Sequence, residues 1–335
     1  MRQNEINLLL QYPENSAGSI MTAEYMALKK HMTVEEAFAY IRDNGVNKET
    51  IYTCYVTDER RALEGVVTVK DLLMNPYEAR LSDIMDPYVI KASTTEDQEE
   101  VAEKFTRYDL LSLPVVDGEN RLVGIVTVDD IVDVMEQEAT EDFEKMAAMV
   151  PSEKPYLKTS VFMLARNRIM WLLILMVSSM ITGGILARYE NAFAVIPLLV
   201  TFIPMLTDTG GNAGSQSSTL IIRGMAVGEI EPTDIFRVLW KELRVGMVVG
   251  MILSLVNYVQ LVIRFPGNER ICLTVVVSLF ATVLLAKAAG SILPMAARLM
   301  RLDPAIMAAP LITTIVDAFS LVIYFQIACR LLSLT

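Results

Sequence analysis

LEGVVTVKDL, residues 63–72, and LVGIVTVDDI, residues 122–131, repeat one pattern. Each opens on leucine, places a glycine two residues later, runs through β-branched residues to a threonine, and puts an aspartate three residues beyond it. The apolar run reads as a buried strand, and the threonine before the aspartate reads as the first turn of a helix, where a hydroxyl can cap the helix or touch a ligand. The similarity spreads outward in both directions. A short "IM" opening, at Ile20–Met21 and Ile84–Met85, precedes an amphipathic helix predicted over Val34–Asn44 and again over Gln98–Tyr108. A strand of the type IYTCYVTD or SLPVVDG comes next, and the copy closes on a helix beginning KDLL or DDIV. The period of about sixty residues, in two copies, does not suit a solenoid; two copies make one paired α/β unit.

The charge changes sign along the chain. Of 335 residues, the first 150 hold 30 acidic and 14 basic side chains, a net of −16, and the remainder hold 10 and 15, a net of +5, giving −11 overall. Hydrophobic residues make up 53% and charged residues 21%. The second half contains five stretches of membrane-span length, expected over about 161–187, 192–222, 233–263, 270–297 and 304–329. The N-terminus has no basic-then-apolar run before a small-residue cleavage site, so the acidic half is expected to stay in the cytosol. With the N-terminus inside, the inner flanks carry Lys154, Lys158, Arg166, Arg168, Arg223, Arg237, Lys241, Arg244, Arg298 and Arg301, against Arg188, Arg264, Arg270 and Arg330 outside. That bias follows the positive-inside rule, leaves the C-terminus outside, and describes a multi-pass protein of the cytoplasmic membrane. Cys54, Cys272 and Cys329 show no paired spacing, and a single histidine, His31, cannot build a histidine-rich metal site.

Within the last span, PLITTIVDAFSLVIYFQIA, residues 310–328, has one carboxylate, Asp317. An acid in a span is costly and normally faces a bundle interior or a water path. Either Asp317 pairs with a buried base, Lys287 being the candidate, or it meets a passing cation. Thr313 and Thr314 share its helical face and can reach the same ion's waters or simply bond the preceding turn. In the second stretch, TDTGGNAGSQSST, residues 207–219, offers small residues for close packing and side-chain oxygens for a hydrated ion. Gly211, Asn212 and Asp208 are its candidate pore positions. VDDIVDVMEQEATEDFEKM, residues 128–146, crowds eight carboxylates into about five helical turns. It reads either as a solvated linker helix or as a surface whose like-charge repulsion a divalent ion would relieve.

The tandem copies resemble a pair of CBS domains, and LEGVVTVKDL and LVGIVTVDDI carry that similarity. A CBS pair followed by five spans, with PMLTDTGGNAGSQSSTLIIRGMA in the second and PLITTIVDAFSLVIYF in the fifth, resembles the MgtE family of magnesium channels. The resemblance implies an α/β CBS pair (19–80 and 81–137), a connecting plug helix (138–158) and an all-α five-helix transmembrane domain (159–335), assembled as a homodimer. Residues 1–18 are then read as the tail of the family's helical N-domain, otherwise absent here. It implies Asp317 as the pore aspartate. It also implies regulatory Mg²⁺ positions at Asp97, Glu99, Asp109, Asp130, Asp133, Glu138, Glu141 and Asp142. Because CBS pairs often bind adenine nucleotides, Thr68 with Asp71, and Thr127 with Asp130, are the expected ATP anchors.

The expected function is passive Mg²⁺ influx, closed by cytosolic Mg²⁺ bound at the acidic surfaces. The alternatives are a carrier of Co²⁺, Mn²⁺ or Ca²⁺, or a membrane-anchored Mg²⁺ or nucleotide sensor that conducts nothing. No Walker A loop, catalytic triad spacing or EF-hand pattern occurs, so no enzyme is expected. The partners expected are a second copy, the lipid bilayer and Mg²⁺, with no nucleic acid.

Overall fold

The computed structural model describes residues 12–152, 155–307 and 309–333, apart from the side chains of 191–193. Residues 1–11 of the expected N-domain tail, and Lys154 of the inner flank, lie outside the described residues. The chain divides into two compact units, Met1–Ala139 and Thr140–Thr335.

The first unit holds two three-stranded sheets of identical topology. In one, β1 (Ala27–Lys29) runs parallel to β2 (Thr53–Thr57), which pairs antiparallel with β3 (Leu63–Thr68). In the other, β4 (Ala92–Ser93), β5 (Ser112–Val116) and β6 (Leu122–Thr127) repeat that order. Even the irregularities correspond, with register shifts at Val56/Thr57 and Val115/Val116. Helix α1 (Val34–Asn44) begins in a capping box, because Thr33 Oγ accepts from the Glu36 amide and Glu36 accepts from the Thr33 amide. Helix α2 (Val69–Met74) stops before Asn75–Pro76, whereas its counterpart α4 (Val128–Met146) meets no proline and continues. Helix α3 (Gln98–Tyr108) starts at the Asp97 cap and ends at Asp109, whose φ of 50° reverses the chain.

The repeated glycines explain why two copies make one unit. The lead-in of each copy adds an antiparallel bridge to the third strand of the other. Thr22 and Ile125 exchange both backbone hydrogen bonds, as do Asp86 and Val66. A Cβ on Gly124 would lie 2.6 Å from Met21 Sδ and 2.9 Å from the Thr22 carbonyl, and one on Gly65 would lie 2.7 Å from Met85 Sδ. The methionine of each "IM" opening therefore sits on the glycine of the partner copy. Tyr55, Leu63, Val116, Leu122 and Ile125 bury a shared cluster between the sheets.

The second unit is helical: α5 (Val161–Arg188), α6 (Ile203–Ala226), α7 (Ile235–Arg264), α8 (Glu269–Leu299) and α9 (Ala309–Leu332). Four of them, α5, α7, α8 and α9, are long and apolar enough to cross a membrane; α6 falls short by composition. The span expected over 192–222 is corrected. A short helix, Glu190–Val195, and a 3-10 turn, Pro197–Phe202, precede α6, which starts only at Ile203. Pro197 lacks the amide an uninterrupted helix would need, and Pro204 suits the first turn of the helix it opens.

Helices α6, α8 and α9 bury Leu206, Val275, Leu279, Val283, Ile312, Val316 and Phe325 together. The Tyr324 hydroxyl, buried with them, donates to the Leu199 carbonyl at 2.9 Å. Close approach comes from glycine: a Cβ on Gly290 would stand 2.2 Å from the Gly214 carbonyl oxygen, so α8 and α6 touch backbone to backbone. No residue in the most apolar stretch of α5 is buried, as suits a helix with a lipid-facing side.

Candidate ion path and acidic surface

Helix α6 has two unlike faces. Gly210, Gly211, Ala213, Gly214, Ser217 and Ser218 are buried. Asp208, Asn212, Gln216 and Thr219 are exposed and recur at three- and four-residue spacing, so they line one face. Helix α9 lies against this helix. A Cβ on Gly211 would fall 2.9 Å from Thr313 Cγ2, one on Gly214 would fall 2.8 Å from Ile312, and one on Gly210 would fall 2.9 Å from Val316. Gly211 is thus a packing position against Thr313. The Thr313 and Thr314 hydroxyls both donate to the Pro310 carbonyl at 2.9 Å, the local bond open to such residues in a helix.

Asp317 sits half-buried one turn beyond Thr313, near enough to Asp208 for the two charges to act on each other. It forms no ion pair among the described residues. Lys287 instead buries its stem against Gly246 of α7, whose Cβ would lie 3.3 Å from Lys287 Cγ. The structure thus brings Asp208, Asn212, Thr313 and Asp317 to one seam of α6 and α9.

The expected regulatory acids fall into separate groups. Asp97 Oδ1 accepts from the Glu99 amide at 2.8 Å and caps α3, and Asp109 closes the same helix. Glu138 accepts from the buried Gln98 amide at 2.7 Å, which carries its carboxylate to the start of α3 beside Asp97 and Glu99. Asp133 is exposed on α4. Farther along α4, Lys145 bridges Glu141 at 2.6 Å and Asp303, in the loop before α9, at 2.5 Å. Burial opposes the Lys145 charge, but the hydrogen bonds to Asp303 and Glu141 outweigh it and hold its pKa above the usual lysine value. Met146 packs beside Ile222 and Ala305 at the same place, and Asp142 lies next along the helix. Among the described residues no three acidic, cysteine or histidine side chains converge as a metal cage.

In each expected nucleotide anchor the threonine is bonded to its own aspartate. Thr68 Oγ donates to Asp71 Oδ2 at 2.6 Å, and Thr127 Oγ donates to Asp130 Oδ2 at 2.6 Å. Asp71 also accepts from the Thr68 amide, completing a cap on α2.

Glu242 is missing from the sequence reading. Between Lys241 and Arg244 it looks like part of a charged flank, yet it is buried and accepts the Ser217 hydroxyl at 2.5 Å. The available signal is a stripe: Glu242, Gly246, Gly250, Ser254, Asn257 and Leu261 recur every three or four residues and are the buried positions of α7.

A family model described as the divalent cation transporter MgtE matches residues 203–327, and a CBS-domain model matches 17–77 and 81–137. The chain is 40% identical over 328 residues to the magnesium transporter MgtE of Thermus thermophilus, spanning 98% of this chain and 72% of that one. It belongs to the MgtE family. The Bacillus subtilis magnesium transporter MgtE is 38% identical to this MgtE chain, over 96% of it and 71% of the relative. A solved structure of the cytosolic domain of the Mg²⁺ channel MgtE in complex with ATP is 47% identical, covers 39% of this MgtE chain and 53% of that one, and gives a TM-score of 0.39.

Proposed function

We propose that this protein is a homodimeric Mg²⁺ channel of the cytoplasmic membrane, with its CBS pair in the cytosol and its C-terminus outside. The observation that carries the reading is the polar face of Asp208, Asn212 and Gln216 on α6, beside Thr313 and Asp317 on α9, in a unit whose other helices expose apolar mid-span residues such as Ile174, Val177, Val248, Met251 and Leu255. Such a face in contact with lipid is costly. Two copies facing each other across a two-fold axis turn it into a water-filled path with two aspartates. Mg²⁺ gives up water reluctantly, so a ring of carboxylate and amide oxygens around a hydrated ion suits it better than a dry cage. Influx is passive, since an interior-negative potential favours a divalent cation by about 4.6 kcal/mol per 100 mV.

Cytosolic Mg²⁺ closes the path. Asp97, Glu99, Asp109, Asp130, Asp133, Glu138, Glu141 and Asp142 are weak, distributed acidic sites whose repulsion bound ions relieve, and residues 138–158 act as the plug. Ions that bind the closed assembly better than the open one shift the population toward it. Adenine nucleotide at Thr68–Asp71 or Thr127–Asp130 adjusts that balance. It binds by opening a Thr–Asp pair that is otherwise closed on itself.

The test is Mg²⁺ influx into liposomes holding the full chain, beside Asp317→Ala. Flux in the parent and none in the variant supports the reading. Equal flux in both overturns the assignment of Asp317, and no flux in either favours a non-conducting sensor.

A further inference from the structure

The glycine seam raises a mechanical problem. Gly210, Gly211 and Gly214 let α6 approach α8 and α9 closely, but they supply no side chains that interlock. Apolar packing at Leu206 and Ala213 constrains α6 without direction, and its rotation decides which residues its polar face presents. Two directional contacts add to the constraint: Ser218 donates its hydroxyl to the Met307 carbonyl at 2.8 Å, and a second bond crosses to α7. Ser217, 0% exposed on the inner face of α6, donates its hydroxyl to Glu242 Oε2 of α7 at 2.5 Å. Glu242 is itself only 9% exposed, within a helix long and apolar enough to cross a membrane. Lys287, 4% exposed, lies on α8 against Gly246, one turn along α7, so a buried base accompanies the buried acid. Charged groups are retained in such surroundings only with partners, and a hydrogen bond to a charged group there is strong and geometrically strict.

We propose that Glu242 is a positioning residue for ion passage: through Ser217 it sets the rotation of α6 and so the aim of Asn212 and Gln216. The inference rests on the reading of that face as the ion path. Asn212 and Gln216 precede Ser217 by five residues and one residue respectively, so a turn of α6 about its axis moves both. Mg²⁺ demands near-octahedral order in its water shell, whereas Ca²⁺ accepts irregular oxygen sets. Misaimed amides therefore penalise Mg²⁺ more than Ca²⁺.

The experiment measures Mg²⁺ and Ca²⁺ flux in liposomes for the parent chain, Asp317→Ala, Ser217→Ala, Glu242→Ala, Glu242→Gln and the Ser217→Ala/Glu242→Ala pair. Glu242→Ala and Ser217→Ala are each expected to lower the Mg²⁺-to-Ca²⁺ flux ratio by about tenfold, the equivalent of one such hydrogen bond. The pair lowers it no further, and Glu242→Gln, whose amide oxygen still accepts, restores the ratio. An unchanged ratio in both single variants overturns the proposal, as do additive effects in the pair or a Gln variant as impaired as Ala. If Glu242→Ala does not fold, Ser217→Ala and Glu242→Gln decide the matter alone. Asp317→Ala keeps the two ideas apart: parent-like flux there removes the pore reading, whatever Glu242 does.

Discussion

In the repeat unit the buried polar side chains are hydroxyls and one amide, Ser16, Thr57, Thr94, Gln98, Ser112 and Thr127, and its carboxylates stay at or near the surface. In the helical unit Glu242 and Lys287 are buried with Ser217, Asn257, Thr274, Ser278, Thr282 and Ser320, while Phe162, Ile181, Phe236 and Trp240 face outward. The first unit folds as a water-soluble body does, by withdrawing apolar strands from solvent. In lipid that drive is absent between helices, so the second unit relies on close backbone contact and interior hydrogen bonds. A carboxylate therefore means different things in the two halves. On α4 water keeps it charged at little cost; at Glu242 or Asp317 it needs a reason.

Glycine offers the largest test of this contrast. Gly290→Ala pushes a Cβ to 2.2 Å from the Gly214 carbonyl, backbone that cannot swing aside. It is expected to destabilise the helical unit by about 3 kcal/mol or more. Thermal unfolding of the purified chain in detergent measures this, with Gly184→Ala as the control, because a Cβ there meets nothing within 4 Å. Equal melting of the two variants would remove the close-contact account. In the repeat unit, Gly124→Ala meets Met21 and the Thr22 carbonyl and is expected to cost about 2 kcal/mol. Faster hydrogen exchange in β6 of the full-length chain checks it, with Gly65→Ala producing the matching change in β3.

The same contrast explains what could be read without the structure. The repeat was legible down to its caps, because strand period, glycine and the Thr-x-x-Asp spacing are local signals that the fold leaves in place. Helices α5, α7, α8 and α9 were legible as apolar length. The start of α6 was not: Pro197 and Pro204 sit in an apolar run whose hydropathy hides the break. Asp317 stood out because its neighbours are apolar. Glu242 did not, because Lys241 and Arg244 beside it mimic a solvent-exposed flank; the stripe of α7 hints at its burial, but not at its partner Ser217 on another helix. Which side chains meet across two helices leaves no trace in a single sequence.

Ionisation sharpens the contrast more gently. Burial pushes the Cys54 thiol of β2 up to about 12. A group whose acidic form is favoured in the fold contributes stability below its unfolded pKa, about 8.5, and that contribution falls as pH rises toward the folded value. Between pH 9 and 11 Cys54 is expected to account for up to about 1.4 kcal/mol of lost stability per pH unit. Cys54→Ala should flatten that slope in alkaline unfolding of the intact chain. An identical slope in parent and variant would place the alkaline loss on other groups, Tyr55 first among them.

The smallest effect separates the two copies of the repeat. Thr68→Val and Thr127→Val each remove a hydroxyl bonded to an aspartate at a helix start, a loss of about 1 kcal/mol. The consequences differ with helix length. Helix α2 has six residues, so losing its cap frays most of it, while α4 has nineteen and frays only its first turn. Hydrogen exchange should therefore rise across all of α2 in Thr68→Val and only near Asp129–Ile131 in Thr127→Val. Adding ATP to the parent chain then asks which copy holds the nucleotide. Slower exchange at one helix start, lost in the matching valine variant alone, assigns the site to that copy. Protection that survives both substitutions means that neither hydroxyl takes part, and that the Thr–Asp pairs serve as caps and nothing more.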